Sequence, residues 1–384
     1  MHPHPIHRSW TERLAMTAVF LANGIAFGAW AGNIPRLREA ARLDDAGLGI
    51  VLLCVSLGAV AAMQLAGRYA AMIGTARVSW IAALLLATAL PLPSVAPGYP
   101  ALLASGALLG LGLGLLDVCM NAHAAWMERR WGAAIMSSFH AGWSVGQLAG
   151  AALAGLLAAL SLLPALAIPA ALVATLGLAA LLLPEDKGRP TERVPFARPS
   201  RRIVILGLII AFSFAIEGGT ADWSGVYLRT VLDVPPGSTS LALAVFAAVM
   251  VVMRLRGDAL VRHFGPPRVL VAGALLAAAG LGLALTIPAL WTALIGFGLV
   301  GAGVANIVPI VFSAAERPTL DDGRPDGGGP TAVSMVATAG YGAVMAAPPL
   351  IGFASHELGL RTALLLLVAA ALAMAALGRK AGAS

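Results

Sequence analysis

The chain has 384 residues, 59% of them hydrophobic and 11% charged, with a formal net charge of +7 and a pI near 10.2. An average soluble domain is about 25% charged, so this composition excludes a water-soluble globule and indicates a polytopic membrane protein. The basic residues form short clusters between apolar spans, which is topological information and not a nucleic-acid surface.

In chain order, residues 1–8 are rich in His and Pro. They read as a disordered tail, because nothing near His2, His4 and His7 fixes a metal-binding geometry. The first apolar stretch is long enough to span and does not read as a cleavable signal. Twelve helices follow, an all-α polytopic arrangement. The first six are expected at 13–35, 46–66, 77–93, 99–127, 134–159 and 162–183. The second six are expected at 202–231, 238–256, 268–287, 289–315, 331–354 and 360–378. Proline and glycine clusters separate them, notably Pro235-Pro236-Gly237 and Pro266-Pro267. The domains are therefore 1–183 and 202–384, joined by a Pro-rich, charged linker at 184–201. Cys54 and Cys119 both fall in apolar spans, so no structural disulfide is expected.

Placing both termini in the cytoplasm assigns the Lys and Arg residues twenty to one side and five to the other, of 25 in all. The cytoplasmic set includes Arg77, Arg254, Arg256, Arg262 and Arg268; the outer set includes Arg36, Arg38 and Arg361. The positive-inside rule fixes this orientation, in a bacterial inner membrane. Gly296-Phe-Gly298-Leu-Val-Gly301 matches a dinucleotide fingerprint, but it lies inside one span with no preceding strand. Close helix packing is the better reading.

Polar residues within the spans are the functional candidates. A charge at the bilayer centre costs roughly 2.5–3.5 kcal/mol on insertion scales. Asp117 lies in the apolar run 108–121, and Glu217 lies near the middle of the seventh helix. Few mid-span cations are available to neutralise them, so both are proton-coupling candidates, together with His140. Asp117 shares a helical face with Asn121 and Glu128. Gly110 and Gly114 lie close to that face and leave room for substrate or for a packed helix. Asn23, Phe27 and Trp30 share a face of the first helix, an amide followed by two aromatic platforms. Ser144 and Gln147 share a face with His140, and Ser224 shares one with Glu217. Asn23 and Asn306 are either interhelical hydrogen bonds or substrate contacts. His140 is either a proton relay or a packing residue. Asp222 either pairs with Arg36 or Arg38 as an outer gate or sits at the interface. The glycine ladders Gly24-Gly28-Gly32 and Gly142-Gly146-Gly150 are expected as packing faces.

Several of these segments are similar to a known family. Residues 22–38 (ANGIAFGAWAGNIPRLR), Leu111 to Asn121, Ser138-Phe-His-Ala-Gly-Trp-Ser144 and Glu217-Gly-Gly-Thr-Ala-Asp-Trp-Ser224 resemble the fucose-permease-like, MosC-like branch of the major facilitator superfamily. The two halves also resemble each other weakly, at Gly110 to Arg129 against Gly296 to Arg317. The resemblance implies two six-helix bundles, with a substrate site near the bilayer midplane. It also implies secondary transport of a sugar or polyol with protons. The family's G-x-x-x-D-x-x-G-R loop is altered: Gly67 and Gly74 remain, Ala71 stands in place of the Asp, and Arg77 lies two residues beyond the motif's Arg position. Arg77 and Asp258 are the candidates for a cytoplasmic gate. Asp117 matches the acid this branch uses on its fourth helix, whereas Asn23 occupies the first helix and cannot carry a proton. No cofactor, metal or nucleic acid is expected, and the partners are the solute, protons and the lipid bilayer, with the chain a monomer. No nucleophile–base pair within the spans suggests an enzyme. Proton-driven efflux of amphipathic compounds, or solute sensing without transport, remain open.

Overall fold

A computed structural model describes residues 9–132, 135–186, 199–317, 320–321, 324–325 and 329–381. The expectations for His2, His4 and His7, for linker residues 187–198 and for much of the stretch 316–330 fall outside that description. The described residues are helical nearly throughout. The first six spans are α1 (Trp10–Ala40), α2 (Asp45–Ile73), α3 (Thr75–Ala89), α4 (Tyr99–Trp131), α5 (Met136–Leu156) and α6 (Leu162–Gly177). The second six are α7 (Arg201–Thr230), α8 (Leu241–Phe264), α9 (Pro266–Thr286), a tenth split into α10 (Leu290–Val304) and α11 (Ile307–Glu316), α12 (Pro330–Leu358), and a last one split into α13 (Leu360–Ala363) and α14 (Leu365–Ala381). A two-residue antiparallel ladder pairs Leu320 with Pro325.

Among the described residues, 11 helical segments are long and apolar enough to cross a membrane. The twelfth, α5, has 21 residues but carries Ser137, Ser138, His140, Ser144 and Gln147, which dilute its hydropathy. The twelve-span reading therefore fits.

The helices group into two compact units. The first holds α1, most of α2, α3 to α6, and Pro236–Ser240. The second holds α7 to α14, together with Leu43–Leu53, which opens α2.

Local sequence explains the helix ends. Ser9 caps α1 by accepting from the Glu12 amide at 3.5 Å, and Ser200 caps α7 by accepting from Ile203 at 3.3 Å. Gly74 between α2 and α3 has φ 89° and ψ 150°, and Gly265 between α8 and α9 has φ 80° and ψ 151°. Only glycine adopts this backbone readily, and its recurrence at the same junction of each half supports an internal repeat. The tenth span was expected as one helix over 289–315. It breaks at Ala305 and Asn306 because Pro309 has no N–H to offer the Ala305 carbonyl, and its ring crowds that carbonyl.

The glycine ladders do what their spacing predicts. A Cβ at Gly24 or Gly28 would overlap the carbonyl oxygens of Trp143 or Gln147 on α5. Gly146 and Gly150 meet the carbonyls of Leu21 and Ile25 on α1 in the same way. Gly110 and Gly114 pack against the backbone of Val55 and Ala59 on α2, so the space beside them holds a helix. Gly296 and Gly303 abut Gly280 and Gly273 on α9, and Gly301 abuts Phe246 on α8. The dinucleotide-like string is therefore a packing motif.

Candidate functional site

In the first unit, Asn23 joins three helices. It is 3% exposed, donates to the Leu113 carbonyl of α4 at 3.2 Å and accepts from the Trp143 indole N–H of α5 at 2.8 Å. The Trp143 ring lies 5.6 Å from that of Phe27, and Trp30 is buried. The sequence drew attention to Phe27 and Trp30 and passed over Trp143. A tryptophan N–H within an apolar span needs an acceptor, and that requirement was the available signal.

Asp117 lies on α4, one turn after Leu113. The Asn121 side-chain amide donates to the Asp117 carboxylate at 3.2 Å and to the Asp117 backbone carbonyl at 2.9 Å. Among the described residues no cation pairs with Asp117, so a neutral amide on the same helix is its side-chain partner. Glu128 is aimed elsewhere. It accepts from the first amides of α5, Ile135 and Met136, both at 2.7 Å, and so caps the next helix.

On α5, His140 is exposed and meets Phe20 edge-on at 5.4 Å, and the Ser144 hydroxyl donates to the His140 carbonyl at 3.1 Å. Gln147 is fully buried, and neither amide atom has a hydrogen-bond partner among the described residues. Leaving such groups unsatisfied costs about 1–3 kcal/mol each, so Gln147 is a site of unspent hydrogen-bonding capacity.

The α2–α3 junction carries a cluster that the sequence did not disclose. Asp186, from the segment after α6, accepts from the Thr75 amide at 2.8 Å and from the Thr75 hydroxyl. That hydroxyl also meets Nδ1 of His123, which lies 3.7 Å from Asp186 and is fully buried. Burial alone would push the Asp186 carboxyl up. The nearby His123 ring and the hydrogen bonds from Thr75 outweigh it and hold the carboxyl at about 2. Arg77 pairs with the adjacent Glu185. Asp258 is exposed, with no pairing partner among the described residues. Arg77 thus holds the start of the linker.

In the second unit, Glu217 lies 3.5 Å from the Arg254 guanidinium, with the two side chains 18% and 19% exposed. Glu217 thus has a cation, whereas Asp117 has none among the described residues, in keeping with too few cations for both acids. The eighth helix was expected to end at residue 256 but runs to Phe264. Asn306, at the break in the tenth span, donates to the Met253 carbonyl at 3.3 Å, and its amide oxygen fills the space left by Gly257. Glu217, Arg254 and Asn306 thus gather around one stretch of α8. Ser224, Thr220 and Ser213 on α7 are buried with no hydrogen-bond partner among the described residues. Asp222 likewise has no ion pair or hydrogen bond there. Arg36 in the first unit donates to Asn33 at 2.9 Å and to the Leu160 carbonyl.

Each unit thus places polar groups within apolar helices. The Major Facilitator Superfamily model matches residues 16–319. The chain is 35% identical over 387 residues to an uncharacterized MFS-type transporter of Yersinia pestis, covering 98% of each. It is 31% identical to the membrane protein MosC of Rhizobium meliloti, covering 95% of this chain and 89% of that one. A mutant of the nucleoside transporter NupG superposes with a TM-score of 0.77 at 14% identity, covering 96% and 99% of the two chains. A bacterial homologue of the lysosomal transporter Spinster gives 0.70 at 17% identity, covering 97% of each. The chain belongs to the Major Facilitator Superfamily and is a multi-pass membrane transporter.

Proposed function

We propose that this transporter works by alternating access and couples the movement of a small polar solute, of the sugar or polyol class, to protons through Asp117. The observation that carries this reading is the contrast between the two mid-span acids. Glu217 has Arg254 at 3.5 Å, whereas Asp117 has the Asn121 amide and no cation among the described residues. Protonation of Asp117 removes a charge that nothing nearby balances, so a proton can be taken up and released within the cycle. Glu217 then serves with Arg254 and Asn306 as a polar cluster that binds solute. The indole of Trp143 and the ring of Phe27, fixed beside Asn23, suit the faces of a sugar ring. The distribution of basic residues supports both termini lying in the cytoplasm, with the protein in a bacterial inner membrane.

The test uses proteoliposomes loaded with a pH-sensitive dye and given a panel of hexoses, polyols, amino sugars, nucleosides and amphipathic drugs. Solute-triggered proton flux with a sugar or polyol is expected. Asp117→Asn should abolish gradient-driven uptake and leave counterflow exchange. Unchanged uphill uptake in that variant removes Asp117 from coupling. Flux only with drugs selects efflux, and binding without flux selects a sensor.

A further inference from the structure

The second unit carries a groove of about 670 Å³ between the start of α9 and the end of α14. This size is within the ~300–1,000 Å³ of small-molecule sites. Its chemistry is divided along its length. Arg268, in the first turn of α9, and Arg379, in the last turn of α14, form the charged end. Val271, Ala272 and Leu275 follow on the same face of α9, at spacings of three and four, and reach about 10 Å below Arg268. Phe264, at the end of α8, is 50% exposed beside the arginines, and Leu275 is 41% exposed at the lower end. The back of the groove is closed at Gly378, where an added Cβ would overlap Leu270 and come 3.2 Å from Val271.

Both arginines are exposed, and neither has an ion pair or hydrogen bond among the described residues. Some arginines of this chain are paired, Arg77 with Glu185, Arg229 with Asp233 and Arg130 with Glu12, whereas the exposed Arg256 and Arg262 on α8 have no ion pair or hydrogen bond among the described residues but lie outside this groove. Two unpaired guanidiniums at the mouth of an apolar channel favour an anion, and their planar donors match phosphate oxygens. A soluble anion has no use for the two apolar turns below. A lipid with a neutral headgroup leaves the two positive charges unbalanced.

We infer that this groove binds an anionic phospholipid, its phosphate held between Arg268 and Arg379 and one acyl chain laid along Val271, Ala272 and Leu275. The site is separate from the polar groups of the transport path and does not depend on the identity of the solute. Its occupant is available in any membrane that contains such lipids, and basic clusters at the ends of membrane helices are suited to it.

The experiment is native mass spectrometry of the full chain, delipidated in detergent and titrated with phosphatidylglycerol or phosphatidylcholine of matched chains. The wild type should retain phosphatidylglycerol at least tenfold better. The pair Arg268→Ala and Arg379→Ala should cut that preference about fivefold or more, while the control pair Arg256→Ala and Arg262→Ala, exposed on α8 outside the groove, leaves it intact. Ala272→Trp fills the acyl path without touching either charge, and should weaken retention even if the arginine pair yields no folded protein. Glycerol phosphate, the headgroup without chains, should not displace the lipid. Equal retention of both lipids by the wild type, loss of preference in the control pair equal to that in the groove pair, or displacement by glycerol phosphate would each overturn the assignment.

Discussion

Replacing Asp186 with Asn tests whether the segment after α6 holds the start of α3. The carboxylate accepts from the Thr75 amide at 2.8 Å and from its hydroxyl, and faces His123 at 3.7 Å. Hydrogen bonds to a charged group contribute about 1.5–3 kcal/mol, and a helix N-cap about 1 kcal/mol. Asn keeps one acceptor oxygen and loses the charge, so the expected loss is about 2 kcal/mol of local stability. Since about 1.4 kcal/mol is a factor of ten, local opening at the first turn of α3 should become roughly 30-fold more frequent. Hydrogen–deuterium exchange of a peptide covering Thr75 to Ser79, in detergent at neutral pH, reads this directly. The pH dependence has a definite sign. Asp186 sits at about 2 in the folded protein, below its ordinary value near ~3.9. Its contribution is therefore fully present above that ordinary value and is lost as pH falls from about 4 towards 2. Wild-type thermal stability should decline over that window through this group, and Asp186→Asn should lack that part of the decline. Exchange at Thr75 to Ser79 that is the same in both proteins would refute the clamp.

Three further perturbations address other parts of the structure. Arg254→Ala leaves Glu217 without its cation and should destabilise by about 1–3 kcal/mol, the pair being partly exposed; adding Glu217→Ala should recover most of the loss in thermal melts, and strictly additive losses would deny the coupling. Gly28→Val drives a side chain into the Gln147 carbonyl and should cost about 3 kcal/mol or more, seen as a lower melting temperature or loss of monodisperse protein, while Gly282→Ala, where a Cβ meets nothing within 4 Å, should be tolerated. Pro309→Ala supplies an N–H to the Ala305 carbonyl and should slow amide exchange around Asn306; unchanged exchange would mean that something other than the proline breaks the helix.

The parts of the fold legible in the sequence were those set by local rules. Apolar run length gave twelve spans, and four-residue glycine spacing marked packing faces on α1 and α5, which the structure shows to face each other. The lack of a strand before Gly296 gave the correct reading of a misleading string. What escaped was set by long-range pairing or by helix ends. Thr75 and Asp186 are 111 residues apart, and nothing in either local sequence selects the other. Arg254 was counted with the cytoplasmic charges at the end of the eighth helix, yet the helix continues through them to Phe264 and Arg254 meets Glu217. The break at Asn306 was hidden because Pro309 sits in a run apolar enough to read as one span. Among the candidate residues, the acids and amides were found by their polarity within apolar helices. Their partners, Trp143 and Arg254, needed the three-dimensional arrangement.

The contact between α1 and α5 also limits how the first unit can deform. Each glycine of one helix seats a carbonyl of the other, at Gly24 and Gly28 on α1 and at Gly146 and Gly150 on α5. Slippage by one residue would place Cβ atoms where carbonyl oxygens now lie. The next register that fits is a full four-residue step away, about 6 Å along the axis. Between these notches there is no shallow path, so the two helices act mechanically as a single beam. Any bending that the working cycle demands of this unit must be taken up at other helix contacts.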